Sequence, residues 1–227
     1  MRADVFNFVA EAAKKLTLQG PVIEVGARPA EGQEDLTDLR SLFPGQDYVG
    51  CDIQPGPRVD QVEDIHHLSF EDGSIGTALA LDTLEHVRDP IRAVGEMHRV
   101  LAPGGCLLIS SVMFFPIHAH PWDYWRFTPE GFAELLAPFP SSVVLSIGWE
   151  FMPETVLGIG VKQPGVKLDA DVFPETAQRA GEWGRGLRVD LGPIRLSARQ
   201  SLSIAFKASL DAAKARASRL GRSFNSR

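Results

Sequence analysis

Cysteine is scarce in this 227-residue chain, which has only Cys51 and Cys106. Each lies inside an apolar run that reads as a buried strand, so a disulfide framework is excluded and a reducing, cytoplasmic setting is expected. Long apolar runs are lacking too. None approaches the roughly 18 residues that cross a bilayer, and residues 1–18 carry charges where a signal peptide would be apolar, so neither a span nor export is expected. Positive charge is short over most of the chain: residues 1–162 hold 11 Lys and Arg against 23 Asp and Glu, a balance of −12. That excludes sequence-independent phosphate binding, which needs Lys and Arg against the backbone charge, and suits a cationic ligand. Residues 163–227 reverse the balance, with 12 against 6, or +6. Internal repeats are absent.

What remains is ordinary for a globular chain: 44% hydrophobic and 23% charged residues, with length for one substantial core plus an appendage. Residues 3–16 place Val5, Phe6, Val9, Ala12, Ala13 and Leu16 at helical spacing, and Gly20-Pro21 stops that helix. The apolar strand 22–26 ends at Gly26. A helix is expected around 35–43, closed by Pro44-Gly45. Strands follow at 48–52, 59–64 and 77–82, each ending in an acid: Asp52, Asp64 and Asp82. Asp89-Pro90 opens a helix with Ile91, Val94, Met97, Val100 and Leu101 on one face; Pro103-Gly104-Gly105 stops it, and 106–112 is another buried strand. Residues 113–128 form a loop dense in His, Trp and Pro, and Thr128-Pro129 caps a helix over 129–137. Apolar runs at 142–148 and 154–161 read as a closing β-hairpin.

Strands alternating with helices predict an α/β fold, a Rossmann-like doubly wound sheet. It is mostly parallel with a C-terminal antiparallel hairpin, and has helices on both faces. Such sheets bind ligands beyond the carboxyl ends of their strands, where strand order reverses. Gly26, Asp52, Asp64 and Asp82 all sit at those ends, so this topology brings four dispersed residues to one crevice. The domain is read as 1–162. The extension 163–227 comprises an irregular, Gly- and Pro-rich stretch to 193 and a basic amphipathic helix over 198–221.

Four pieces then resemble the class I S-adenosylmethionine-dependent methyltransferases, of the small-molecule type with a short core. They are Val22-Ile-Glu-Val-Gly26, Val49-Gly-Cys-Asp52, Glu63-Asp64-Ile-His-His-Leu68 with Phe70-Glu-Asp-Gly73, and Leu81-Asp82-Thr-Leu-Glu-His-Val87 with Arg99-Val-Leu-Ala-Pro-Gly-Gly105. The resemblance implies S-adenosylmethionine as cofactor. Glu24 and Gly26 would lie against its methionine part, Asp52 at both ribose hydroxyls, Asp64 and the Ile65 backbone at the adenine amino group, and Asp82 near the sulfonium, with Ile53 also among the cofactor-binding residues. The family's first motif usually carries two or three glycines. Here Arg28 and Pro29 follow Gly26-Ala27, and Arg28 either crowds or pairs with the cofactor carboxylate.

The implied reaction is methyl transfer to an O or N atom of a small-molecule or glycan-type acceptor, with positioning and a base supplying the rate. Candidate catalytic groups are His86 and, in the loop, His118, His120 and Asp123. Asp123 has an alternative role, pairing with Arg126 to hold the loop. Trp122, Tyr124, Trp125 and Phe127 either pack the loop or form an aromatic wall against a ring substrate. No metal ligand set is read, because His118, His120 and Asp123 lack the further ligand that a stable site needs. No Asn- or Asp-Pro-Pro-Tyr follows the fourth strand, and the body is acidic, so no nucleic-acid substrate is expected. The basic helix suits self-packing, a homodimer or peripheral membrane contact. Two competing readings stand beside this one. The first is a degenerate methyltransferase fold serving as a binding or scaffold protein. The second is a nicotinamide-binding domain, which the missing later glycines and the terminal hairpin disfavour.

Overall fold

β-Branched and leucine-rich segments between turn residues form seven strands of one sheet in the computed structural model, which describes residues 2–29, 38–119, 121–149 and 152–177. The strands are β1 (Val22–Val25), β2 (Tyr48–Asp52), β3 (Gln61–Val62), β4 (Ile75–Leu81), β5 (Leu101–Val112), β6 (Ser141–Trp149) and β7 (Met152–Val161). Their order is β3-β2-β1-β4-β5-β7-β6. The first five run parallel, while β7 lies antiparallel to both β5 and β6. β4, Ile-Gly-Thr-Ala-Leu-Ala-Leu, is buried along its whole length, as a central strand covered on both faces must be.

Alternation along the strands splits the core in two. Ile23, Val25, Ala78, Ala80, Leu107 and Ile109 face α2 (Pro90–Val100) and α3 (Pro129–Leu135), which contribute Val94, Met97 and Phe132. Val22, Leu79, Leu81, Cys106 and Leu108 face α1 (Ala3–Lys15) through Val5, Phe8, Val9 and Ala12. Helices thus cover both faces of a mostly parallel sheet. On the first face Gly160 makes room for Phe139, whose ring atoms would lie 2.5 Å from a Cβ at that position. α2 begins with Pro90 in its first turn and Asp89 as N-cap, whose carboxylate accepts from the Arg92 N–H at 3.0 Å. Thr128 does the same for α3, accepting from Gly131 N–H at 3.0 Å.

Three elements depart furthest from expectation. The strand expected at 59–64 shrinks to Gln61–Val62, because Asp60 turns inward to accept from Gly50 N–H at 2.7 Å while Asp64 accepts from His66 N–H at 2.9 Å in a tight turn. In the segment expected to be helical at 35–43, the described part is a 3-10 turn, Leu39–Leu42, capped by Asp38. β5 starts at Leu101 rather than 106: the stretch Pro103-Gly104-Gly105 does not end pairing but bulges, two steps on β4 facing five on β5 between the Ile75–Leu101 and Thr77–Cys106 pairs. His120 and the basic helix at 198–221 lie outside the described residues.

Residues 163–177, the near end of the extension, pack onto the α1 side. Phe173 is fully buried there, and Glu11 on α1, also buried, accepts from Glu175 N–H (2.8 Å), Thr176 N–H (2.9 Å) and Thr176 Oγ1–H (2.7 Å). Glu11→Ala strands three donors in an apolar setting. It is expected to cost about 3 kcal/mol, a fall of about 6–12 °C in the midpoint of a circular-dichroism melt. A fall below about 3 °C would show the segment to be held elsewhere. Among the described residues, no helix is long and apolar enough to cross a membrane.

Candidate functional site

The chain leaves β1 toward β2 on one side and reaches β4 on the other, so the crevice of reversed strand order opens beyond Val25 and Leu81. Gly26 sits at its floor with φ +86°, and a Cβ there would fall 2.2 Å from Thr83 Oγ1. Only glycine fits both the backbone and the space. The Thr83 hydroxyl fastens the two strand ends, lying 3.2 Å from the Val25 carbonyl and 3.0 Å from that of Leu81. Gly26 and Ala27 both donate to the Cys51 carbonyl, at 2.8 and 2.9 Å, which turns the loop toward the end of β2.

At that end Asp52 accepts from Gln54 N–H at 3.0 Å and Arg28 N–H at 3.4 Å. Its neighbour Ile53 is 67% exposed, a large apolar side chain left open beside a carboxylate. Arg28 turns away along the 54–56 loop: its guanidinium donates to Gln54 Oε1 at 2.7 Å and its stem covers Gly56. Asp64 lies exposed at the end of the next turn, 2.7 Å from His66 Nδ1, and Ile65 is buried beneath it. Glu24 is directed into the sheet face, accepting from the Tyr48 hydroxyl at 2.6 Å, and burial pushes its carboxyl up. Gly26, Asp52, Ile53, Asp64 and Ile65 therefore follow one rim, whereas Glu24 supports it from behind.

Asp82 follows β4 directly, with φ +49°, and meets a partner that the local sequence does not announce. Arg2, at the N-cap of α1, makes no cap and reaches across to it, Nε to Oδ2 at 3.0 Å and Nη2 to Oδ1 at 2.7 Å. Ser110 Oγ donates to the same carboxylate at 2.9 Å. Arg2 also donates to Thr155 Oγ1, stands 4.0 Å from Glu154, and lies over the Phe115 ring at 5.9 Å.

Beside Asp82, the turn 84–87 and the loop 113–128 are sewn together. Tyr124 and Trp125 N–H donate to the Glu85 carbonyl at 2.8 and 3.3 Å, and Trp125 Nε1–H to that of Val87 at 2.8 Å. Arg126 grips Asp123 with two nitrogens, at 2.6 and 2.7 Å, and His118 N–H donates to the same carboxylate at 2.9 Å. Arg126 first, with the His118 contacts, lowers the Asp123 carboxyl to about 2. Phe127 is buried against Phe132, while Trp122, Tyr124 and Trp125 keep exposed surface over the turn.

This sewing brings together Glu85, His86 and His118, each offering one ligand-type atom within 4.8 Å of the others. His86 Nδ1 is 2.8 Å from the Trp122 carbonyl, which can only accept, so that nitrogen carries the proton and Nε2 keeps its lone pair. Burial lowers the His86 pKa and favours this neutral form. His118 Nδ1 lies 3.2 Å from the Pro116 carbonyl and 3.3 Å from Asp123 Oδ2, acceptors again, so its Nε2 is likewise the open nitrogen. Glu85 is fully buried; Oε2 accepts from Ser111 Oγ–H at 2.6 Å and Oε1 has no partner among the described residues. Desolvation, with the nearby Asp82 charge, pushes its carboxyl up to about 7.

Of the residues expected to act, His86, His118 and Asp123 converge, and His120 lies outside the described residues. Glu85 and Arg2 were missed. Glu85 carried a readable signal, an acid next to His86 just past a wholly apolar strand. Arg2 carried none, since its partner is 80 positions away.

Residues 24–109 match the model of a family described as a methyltransferase domain. A probable S-adenosylmethionine-dependent methyltransferase of Mycolicibacterium smegmatis is 25% identical over 189 residues, covering 77% of this chain and 71% of that one. A 37.1 kDa protein of a Streptomyces fradiae transposon is 36% identical over 106 residues, 37% of this chain; the chain spans only 31% of that relative's length. Among solved structures, a Burkholderia thailandensis 1,6-didemethyltoxoflavin N1-methyltransferase, holding 1,6-didemethyltoxoflavin and S-adenosylhomocysteine, superposes with a TM-score of 0.53. It shares 20% identity over 71% of this chain and 79% of that one, a likeness of fold.

Proposed function

The chain belongs to the class I S-adenosylmethionine-dependent methyltransferase family, and from that premise we propose that it transfers a methyl group to an oxygen or nitrogen of a small-molecule or glycan-type acceptor. The observation that carries this reading is one crevice with two different halves. Its β1–β2 half suits an adenosine: a floor that excludes any Cβ at Gly26, a carboxylate at Asp52 for a vicinal diol, and an uncovered apolar side chain at Ile53 for a ring face. Its β4–β5 half holds Asp82, His86 and His118 under a loop with exposed aromatic faces.

S-Adenosylmethionine supplies an electrophilic methyl on a sulfonium. This chain's residues do the rest. Asp52 holds the ribose, Asp64 the adenine amino group, and Arg28, folded onto Gln54, leaves the floor clear for the amino-acid end. Asp82 is held by Arg2, 2.7 Å away, which fixes the strand end beside these side chains. His86 and His118 present Nε2 lone pairs toward which an acceptor O–H or N–H can donate, so its proton leaves as the nucleophile attacks. Asp123 positions His118, and the aromatic faces of Trp122, Tyr124 and Trp125 exclude water from the acceptor.

Calorimetry with S-adenosylmethionine, S-adenosylhomocysteine and NAD tests the reading. The first two are expected to bind and NAD not to. Asp52→Asn, which halves the charge-assisted hydrogen bonding to the diol, is expected to weaken S-adenosylhomocysteine by about 2 kcal/mol, roughly thirtyfold. Binding of none of the three would leave a scaffold protein instead.

A further inference from the structure

The geometry points to a divalent transition-metal site formed by Glu85, His86 and His118, a two-histidine, one-carboxylate set at the carboxyl end of β4. The inference stands on the arrangement of these side chains and goes beyond the methyl-transfer reading. Three features argue for it together. The first is the ligand set: one donor atom from each residue lies within 4.8 Å of the others. Around a tetrahedral ion with bonds of about 2.1 Å, ligand atoms stand about 3.4 Å apart, so the set must close by little more than an ångström. That closure falls between His118, on the 113–128 loop, and the turn that carries the other two.

The second feature is the orientation of the rings. Both imidazoles hold Nδ1–H on acceptors, His86 on the Trp122 carbonyl at 2.8 Å and His118 between the Pro116 carbonyl and Asp123 Oδ2. Both Nε2 atoms are thereby left as lone-pair donors. A carbonyl or carboxylate behind each ring is the arrangement that fixes the tautomer of metal-bound histidine and raises its basicity. The rings meet edge to face with centroids 4.7 Å apart. Asp123, clamped by Arg126, is already committed to the rear position and leaves the front open.

The third feature is Glu85 Oε1. It is an oxygen in a fully buried side chain, with no hydrogen-bond donor among the described residues, although its twin Oε2 is satisfied by Ser111. Buried carboxylate oxygens are seldom left without a donor, and a cation is one partner that answers the vacancy. Two imidazoles and one carboxylate suit Zn2+ and its first-row neighbours rather than Mg2+ or Ca2+, which prefer oxygen throughout. Three protein ligands leave a coordination position open, where an acceptor oxygen or nitrogen could bind and lose its proton to water; with the ion bound, the two Nε2 lone pairs are spent on it and the metal replaces the imidazoles in activating the acceptor. The spacing in the sequence hid this set, because Glu85 and His86 lie some thirty residues before His118.

The test is titration of the full-length, chelator-stripped protein with ZnCl2 by calorimetry, and with CoCl2 by visible absorption. One Zn2+ per chain is expected, with Co2+ giving the d–d bands of a low-coordinate site. Glu85→Gln and His118→Ala are each expected to weaken Zn2+ about a hundredfold, while His67→Ala, at an exposed histidine outside the set, changes nothing. Circular dichroism and the S-adenosylhomocysteine affinity of each variant report separately on folding and on the cofactor site. His118→Ala is exposed enough to fold if Glu85→Gln does not. No Zn2+ uptake by the parent protein, or uptake unchanged in His118→Ala, overturns the site whatever becomes of the cofactor reading.

Discussion

Gly26→Val is expected to abolish cofactor binding and to destabilise the fold as well. Two costs add. A β-branched residue at φ +86° occupies backbone space that L-residues avoid, at about 1–3 kcal/mol. Its Cβ would also fall 2.2 Å from Thr83 Oγ1, a contact that cannot persist, so the Thr83 hydroxyl must leave the Val25 and Leu81 carbonyls it joins. Together these are expected to take about 4 kcal/mol from the bound state, roughly a thousandfold in S-adenosylhomocysteine affinity, with a visible loss in melting temperature. Thr83→Ala offers a check: it removes the tie without the clash and should cost about tenfold at most. Wild-type affinity in Gly26→Val would mean that the cofactor does not lie on this turn.

Asp123→Asn is expected to release the 113–128 loop at neutral pH. The carboxylate, buried against Arg126 and His118, has a folded pKa lowered to about 2 against an ordinary value near 3.9. The sign follows from linkage. A depressed folded pKa contributes stability that is present above the unfolded value and lost as pH falls from about 4 through about 2. The Asp123 contribution is therefore constant across neutral and mildly acid pH and declines only below about 4. The asparagine variant lacks the charge at every pH and leaves Arg126 without its anion, a loss of about 2–3 kcal/mol. Hydrogen exchange of the Tyr124 and Trp125 amides, which donate to Glu85, measures it. Protection at pH 7 should fall by at least about tenfold in the variant relative to the parent. Equal protection in both would assign loop order to the aromatic packing alone.

What could be read in the sequence divides along a physical line. β4 was legible because burial on both faces forces a continuous apolar run, β1 and β2 because short apolar runs lie between turn residues, and the Gly26, Asp52 and Asp82 that follow or end them are local features. The terminal hairpin was legible from two apolar runs in close succession. The start of β5 was not, since Pro103-Gly104-Gly105 carries the usual marks of a stop and only pairing with β4 turns it into a bulge. β3 was overread because the acids flanking it look like strand ends, whereas Asp60 and Asp64 spend their carboxylates on neighbouring backbone. In the crevice, the residue types were legible and their partners were not. Asp82 reads as an acid facing a cation, and the cation it meets in this structure is Arg2. His118 reads as a base in a loop, and its nearness to buried Glu85 depends on how that loop is tied down.

The placement of β7 has a consequence for how the chain is made. During synthesis β5 emerges with its β4 edge matched and its other edge bare, and β6, which follows, does not fill the gap; the strand that does is β7, running the opposite way between them. Until residue 161 has emerged, the buried stretch Cys106–Val112 of β5 stands open to any other strand that approaches. Nascent or truncated chains ending between Val112 and Val161 would be the aggregation-prone species of this protein, and the last ten residues of the sheet act as its built-in protection.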